Sequence, residues 1–554
     1  MRQRRISRSE PCLAVIRAVS AYLFSSGFPE VLSKLFPGTL PFGKQLTTFP
    51  DFVVNRWPGS CKAPRLTMMN LGAGSGLCWA LAKTRVKNPE DRRSKTGIGL
   101  RYFGLVTVLL CSQTLLQAGD GTASPSPATY EPLIPGLIDA FGQALTSPAY
   151  TAPQPGSTPT PRHGLPAPFD SPPFFTSDYQ IGGTQIVGDP GEATVWPVMK
   201  AVYGSGPFGQ WLKDNRINFY GWVDGGYNAS SSSHNNNPMA YDVRPDQPEL
   251  DQVVVYLERL ADEYQTDHID WGFRISALYG LDYRYTISRG LFSSQLLKYN
   301  EYYGYDMPMV YLDLYIPWVF QGMDIRIGRY ISLPDIEAQL APNNPMYTHS
   351  LLYTFDPYTQ EGIMTTVKLN KNWTIQLGIS AGNDQAIWDS SARLTGTAMI
   401  QWVSSDNMDS VYFGINSIND GEYSYNNVQD YVATWTHKFN DVVNTQTEGW
   451  FMYEKGVPNI GWAPEWAVVN YTFFRLSKNT YLNIRNEYFD DASGQRTGVK
   501  DVYSEHAIGL AWWPNSITEL RPEVRFDRAY QRESYDNRTR KNQVSFDCDM
   551  IVHF

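Results

Sequence analysis

The chain has 554 residues, 42% hydrophobic, 14% aromatic and 18% charged, and its mean hydropathy of -0.35 excludes a polytopic helical membrane protein. A low share of charge beside 35 Tyr and 16 Trp suits a large sheet whose two faces meet different solvents. Residues 1–101 hold 17 Lys and Arg against 5 Asp and Glu, whereas 102–554 hold 29 against 50, an acidic balance that excludes nucleic acid as a partner of the main body.

In chain order, the first strong feature is the apolar run from Phe103 to Leu116. Arg92, Arg93, Lys95 and Arg101 precede it and Gln117-Ala118-Gly119 follow it. A basic flank, a short apolar core and a small residue at the exit describe a secretory signal peptide over about 101–118, cleaved near Ala118. A lipid anchor on Cys111 is the weaker alternative, because Leu110 before it is too large for a lipobox. Signals stand at a true N-terminus, so residues 1–100 read as an over-extended start and have no assignable fold. Residues 122–173 contain 13 prolines and read as an extended spacer. The segment 119–216 as a whole is a Pro-rich linker with an ambiguous pre-barrel end.

From about residue 217 the pattern changes to period two. Ile363, Thr365, Val367 and Leu369 alternate with Met364, Thr366 and Lys368; Trp373, Ile375, Leu377, Ile379 and Ala381 repeat the alternation after a turn. The spacing predicts sixteen strands: 217–227, 252–262, 269–284, 308–318, 323–331, 362–369, 373–381, 393–403, 410–419, 428–439, 443–454, 465–476, 481–490, 504–513, 517–527 and 543–554. The second has the weakest pattern and also fits a helix. Many runs span 9–13 residues, the length a tilted strand needs to cross a bilayer.

The connections alternate long and short. Gaps such as 228–251, 332–361 and 455–464 are long, while 319–322, 370–372 and 477–480 are short and 263–268 is intermediate. A soluble sandwich has no reason to alternate so; an outer-membrane barrel has tight periplasmic turns and long outer loops. The expected fold is therefore all-β: a closed antiparallel transmembrane barrel of about 16 strands behind a disordered, Pro-rich N-terminal region. The last strand ends in Phe554, with Phe546, Cys548, Met550 and Val552 on the same face. A terminal aromatic on an alternating strand resembles the signal read by the barrel assembly machinery.

Two stretches carry a family resemblance. One is Asp270-Trp-Gly-Phe-Arg-Ile275 with Tyr279-Gly-Leu-Asp282; the other is Gly328-Arg-Tyr330 followed by Asn344-Pro-Met-Tyr-Thr-His-Ser350, Pro357 and Glu361-Gly362. With Gly221-Trp222 and Gly225-Gly226-Tyr227, the region 217–554 resembles the OmpL-like β-barrel porin family (family 2), common in planctomycetes and related bacteria. Ser332-Leu333-Pro334-Asp335 departs from the Gly-Tyr-Glu-like turn the family leads one to expect. The resemblance implies an outer-membrane porin without catalytic residues.

In such a wall the polar face of each strand lines the lumen. Strand phase makes Asp270, Arg274, Asp282, Arg284, Arg326, Arg521, Glu523 and Arg525 the pore-lining candidates. They either set selectivity or pair to hold the shape of the wall. Asp335, Glu337, Asp356 and Glu361 lie in the third long loop, 332–361, which holds no Lys or Arg. Folded inward, that loop would oppose its carboxylates to the wall arginines and make a constricted, cation-favouring passage. Trp318, Trp402, Trp450, Trp462, Trp466, Trp512 and Trp513 are candidates for interfacial girdles.

The function expected is passive diffusion of small hydrophilic solutes or ions through the outer membrane, with no cofactor or metal. Outer-membrane lipids and the assembly machinery are the partners, and a homo-oligomer is compatible with such a wall. Seven scattered His and a single Cys beyond residue 111 offer no metal or disulfide motif. The alternatives are a secreted β-rich glycan binder, which leaves the loop alternation unexplained, and a barrel hydrolase, for which no nucleophile stands beside His437 or His506 in sequence.

Overall fold

The computed structural model describes residues 130–148, 195–332 and 335–554. The predicted signal peptide, Cys111 and residues 1–100 lie outside the described residues. All sixteen predicted strands are present: β1 (Asn218–Ser230), β2 (Pro248–Arg259), β3 (Asp270–Gly280), β5 (Val310–Ile316), β6 (Met323–Ile331), β7 (Thr359–Lys368), β8 (Trp373–Asn383), β9 (Thr395–Val403), β10 (Asp409–Ile418), β11 (Gln429–Lys438), β12 (Val443–Val457), β13 (Gly461–Ser477), β14 (Thr480–Asp491), β15 (Asp501–Asn515), β16 (Thr518–Ala529) and β17 (Asn542–His553). The extra one, β4 (Gly304–Asp306), pairs with the outer end of β3 while β5 pairs with its inner part. These two pieces fill one wall position, which leaves sixteen positions. The second strand, which also fitted a helix, is β2.

Every neighbour in the wall is antiparallel, and the sheet closes where β17 pairs with β1, as in Val223↔Val552 and Tyr227↔Cys548. Gly221 and Phe554 exchange backbone bonds at 2.9 and 3.4 Å to finish the seam. Closure is forced: hydrocarbon offers nothing to an unpaired N–H or C=O, so a spanning sheet can have no free edge. Gly221 also leaves room there, since a Cβ at that position would sit 1.9 Å from the Val254 carbonyl oxygen and 2.8 Å from the Phe554 ring.

Side chains follow the pleat. Each strand puts at least one large apolar residue on the exterior, among them Val223, Leu257, Ile275, Tyr305, Leu312, Ile327, Ile363, Leu377, Ile400, Phe413, Phe451, Val468, Ile508, Val524 and Phe546. The alternate positions are buried inside the wall. On β16 the predicted ladder Glu519, Arg521, Glu523, Arg525 and Asp527 is inward and buried, with Val524 and Phe526 exposed between.

Four expectations are corrected. The predicted strand 269–284 ends at Gly280, whose φ of 153° bends the chain into a helical turn, so Asp282 and Arg284 belong to an outer loop. The long gap predicted at 455–464 is a three-residue hairpin turn, because β12 and β13 run 15 and 17 residues and project past the other strands. Asn459 and Gly461 at φ 64° and 83° make the tight reversal. Trp450 faces inward and is buried, so it belongs to no girdle, whereas Trp318, Trp462 and Trp512 are exposed. Within the proline-rich spacer, residues 133–146 form a helix, α1 (Leu133–Thr146), which begins after Pro132 and stops before Pro148, the interval between holding only Pro135 in its first turn.

Two further helices, α2 (Pro197–Gly204) and α3 (Pro207–Asp214), lead into β1. Ser516, in the short β15–β16 turn, donates its amide to Ser147 O (3.1 Å) and its hydroxyl to Ala144 O (2.9 Å). Trp196 stacks on His553 at 4.1 Å. The pre-barrel helices thus lie against the end of the barrel that carries the short turns.

The exterior belt yields a test. Leu377, mid-strand on β8 and 58% exposed, meets lipid in this fold. Leu377→Arg is expected to lower unfolding free energy in phospholipid vesicles by ~2–4 kcal/mol; a change within ~0.5 kcal/mol would mean that this face does not contact hydrocarbon.

Candidate channel constriction

The loop between β6 and β7 is the site around which the interior is organised. Its neck is closed by Ser332, whose amide donates to Tyr358 O (2.9 Å) and whose hydroxyl donates to Pro357 O (2.8 Å). From there the loop turns into the barrel, and its described residues from Asp335 to Phe355 are all buried except Pro342, which is half-buried. A five-residue helix, Leu351–Phe355, is capped by Ser350 Oγ, which accepts the Tyr353 amide at 3.1 Å.

Apolar side chains carry the loop across the lumen. Ile336, Met346, Leu351, Leu352 and Phe355 join a cluster with Tyr412, Trp450, Tyr471, Phe489 and Tyr503 from β10, β12, β13, β14 and β15. Leu340, Ala341 and Tyr353 join another with Tyr220, Trp222, Tyr256 and Tyr311 from β1, β2 and β5. This one loop therefore touches both halves of the wall.

A buried loop with little regular structure leaves its backbone groups without partners, and each would be costly. The wall supplies them. Arg485 donates to Thr348 O and, at 2.7 Å, to Thr348 Oγ1. Arg525 donates to His349 O at 2.5 Å and to Thr348 Oγ1 at 3.1 Å. Arg521 reaches Ala341 O (2.6 Å) and Asn344 O (2.8 Å). Wall carboxylates take the loop amides: Glu523 accepts from Thr348 N (3.1 Å), Glu487 from Leu351 N (2.8 Å) and Leu352 N, and Glu448 from Ile336 N (2.8 Å). Trp450 Nε1 donates to Leu352 O at 3.1 Å.

Each of these arginines also has a wall counterion. Arg485 is forked on Glu505 at 3.0 and 3.1 Å, Arg525 on Asp527 at 2.8 and 3.0 Å, and Arg521 on Asp549. The same holds across the barrel, where Arg274 donates to Glu258 (2.6 Å) and Arg326 to Asp313 (2.8 and 3.0 Å). A planar guanidinium suits this double duty, with one edge on a carboxylate and another on a carbonyl.

This arrangement corrects the expected opposition of loop carboxylates to wall arginines. The arginines bind loop carbonyls. Of the loop acids only Glu337 lies toward one, through Tyr471, whose hydroxyl donates to Glu337 at 2.8 Å and accepts from Arg485 at 3.1 Å. Burial would raise the Glu337 pKa, but the His349 ring and the Arg485 charge, with the Ser350 donor, outweigh it and hold it at about 2. Asp335 and Asp356 instead face Asp430 and Glu448 on β11 and β12; burial first, then that acidic company, pushes both loop carboxyls well above their ordinary range. Glu361 is no loop residue. It sits on β7 in phase with exposed Ile363 and accepts the Ile387 amide at 2.7 Å.

The remaining candidates divide. Asp270, near the short-turn end, is bound by Arg216 and Arg259. Asp282 is buried and accepts Gln252 Nε2 at 2.8 Å. Arg284 fastens the outer loop to Glu301 O (2.5 Å) and Asn300 (2.7 Å), away from the wall. A second acidic group was not singled out from sequence: Asp224, Asp242, Glu249, Asp251, Asp547 and Asp549, all buried on the β17–β1–β2 side. The Tyr347 hydroxyl lies 2.7 Å from Asp242 and 3.0 Å from Asp251. Gly226 permits that approach, because a Cβ there would sit 2.0 Å from the Tyr347 oxygen. His437 and His506, considered for catalysis, both face outward, with Asp409 and Asn486 as their partners at 2.8 Å.

A closed wall with an apolar exterior, a polar interior and an inward third loop defines an outer-membrane barrel of the porin class. Residues 216–554 match the family described as putative beta-barrel porin-2, OmpL-like, and the chain belongs to that family. No curated protein is similar to this sequence. Among solved structures, an anion-selective porin from Comamonas acidovorans shares 9% identity, covering 61% of this chain and 99% of its own, with a TM-score of 0.44. The outer membrane channel DcaP of Acinetobacter baumannii gives 11%, 61%, 97% and 0.41, and OmpT of Vibrio cholerae in its trimer form 8%, 61%, 99% and 0.38.

The clamp is testable. Arg521→Gln removes the donors to Ala341 and Asn344 and leaves Asp549 buried without its partner. It is expected to cost ~3–5 kcal/mol of unfolding free energy, while Arg528→Gln on the exterior of the same strand should cost within ~0.5 kcal/mol. Equal effects of the two would contradict the clamp.

Proposed function

We propose that the protein is a passive outer-membrane channel for small hydrophilic solutes, narrowed by the 332–358 loop and favouring cations. The observation that carries this reading is the state of the interior charges. The wall arginines are spent on wall carboxylates and on loop carbonyls. Asp224, Asp242, Glu249, Asp251 and Asp547 on one side, and Asp335, Asp356, Asp430 and Glu448 on the other, exceed the cations beside them. Burial and acidic company raise the carboxyls of Asp335 and Asp356, so a passage bordered by such groups gains negative charge, and with it cation preference, as the pH rises. The lining role of Arg274, Arg326, Arg521, Glu523 and Arg525 is then to fix the shape of the aperture, and Glu337 holds the loop from within.

In the same reading, residues 101–118 are removed on export and Phe554 presents the terminal strand to the assembly machinery. Membership of a porin family favours a channel over an enzyme.

Reversal potentials in planar bilayers under a salt gradient test the proposal. The wild type should prefer K⁺ over Cl⁻ increasingly as the pH is raised, and Asp335→Asn with Asp356→Asn should reduce that rise by about half or more. Anion preference of the wild type, or no conductance at any voltage, would refute it.

A further inference from the structure

We propose that α1 lies along the phospholipid leaflet on the short-turn side of the barrel, with its outer face among glycerol groups and upper acyl chains. The inference goes beyond the channel reading and rests only on the barrel lying in the outer membrane.

The helix has three faces. Gly136 and Ala140 are buried on one of them, with half-buried Leu133, Leu137 and Ala144 beside them. Ile134, Ile138, Phe141 and Leu145 follow at i, i+4, i+7 and i+11 and form a second apolar stripe. Ile134 and Ile138 are 68% and 67% exposed, Leu145 is exposed and Phe141 half-buried. Exposed Asp139 and Thr146 lie on the third side. A helix that packs only on its own protein needs one apolar stripe, and α1 has two.

The neighbours of the helix show where the second stripe points. Gln143, on the side opposite the stripe, accepts Lys200 Nζ of α2 at 2.7 Å. The α2 helix is on the lumen side, because Trp196 at its start stacks on His553 and packs against the inward cluster of Tyr220, Trp222 and Tyr256. Ser516, in the β15–β16 turn, holds the end of α1 through Ala144 O and Ser147 O. With α2 toward the lumen, the stripe is turned away from the barrel axis at the level of the short turns.

At that level the outside of the wall is still apolar. Exposed Phe320, Phe439 and Val442 stand in the short turns themselves, and exposed Leu476 near the end of β13. The lipid-facing surface of the wall thus runs down to the turns, and the stripe of α1 continues it. The stripe bears no charge and no side-chain hydrogen-bonding group, which suits lipid, while Asp139 and Thr146 are left to water. A helix divided in this way is built to lie in the plane of a bilayer interface.

The test uses the full chain, purified from the outer membrane and reconstituted in phosphatidylethanolamine–phosphatidylglycerol vesicles, with C12S, C61S, C78S, C111S and C548S removing the native thiols. A fluorophore is attached through Ile138→Cys on the stripe, Asp139→Cys on the water side or Leu377→Cys on the belt. Lipid carrying a nitroxide near the carbonyl end of its acyl chains should lower the signal at residue 138 about twofold and that at residue 139 by less than about a fifth. Lipid with the nitroxide at the end of the chain should act more strongly on residue 377 than on residue 138. Equal or absent quenching at 138 and 139 would overturn the proposal. So would a covalent dimer formed by Ile138→Cys with a short bis-maleimide, which would give the stripe to a second copy. No quenching at residue 377 would overturn the lipid contact of the wall, and this inference with it. If Ile138→Cys does not fold, Ile134→Cys on the same stripe decides the comparison.

Discussion

The structure depends on one constraint: every backbone N–H and C=O held away from water must find a partner inside the protein. In the wall that constraint is met by the sixteen-position sheet and by the β1–β17 seam. In the lumen it recurs in a harder form. The loop after β6 is buried, yet its described residues hold a single short helix and one 3₁₀ turn. Its remaining groups are bound by side chains of the wall, above all Arg485, Arg521, Arg525, Glu487 and Glu523.

That exchange explains the chemistry of β14 and β16. An alternating charged strand would be costly in a protein core, because each ion loses its hydration. Here each arginine is forked on a carboxylate and also meets a carbonyl, so the desolvated charges are neutralised in place. The cost is borne by the wall, and the return is a loop held in a single position across the barrel. The acids not used in this way, Asp335 and Asp356 with Asp430, and the group around Asp224 and Asp251, lie among other acids, and burial with that company raises the carboxyls of Asp335 and Asp356.

Much of the wall was legible in sequence because lipid enforces a strict alternation. Leu377 and Ile379 against Gln376 and Gly378, or Val524 and Phe526 against Arg525 and Asp527, leave no choice of phase. The alternation of long and short gaps gave the orientation. What escaped had physical reasons. Arg485 was hidden because its neighbour Asn486 is also polar, so β14 shows no clean contrast. The partners of the arginines are carbonyls of a distant loop, and a main-chain carbonyl has no signature in sequence. Trp450 was misplaced because a Trp that caps a loop carbonyl and a Trp at a bilayer interface look alike along a strand. The hairpin at 458–460 lacks a sequence signature because the ends of β12 and β13 pair only with each other past β11 and β14, where the alternating pattern stops.

Amide hydrogen exchange of the folded protein tests the central claim most directly. If the loop is bound to the wall through its backbone, the amides of Ile336, Thr348, Leu351 and Leu352 should exchange as slowly as those of mid-strand residues on β14 and β16. Exchange at the rate of the 492–500 outer loop would show that the loop is not held across the barrel, and the account of the constriction would be wrong.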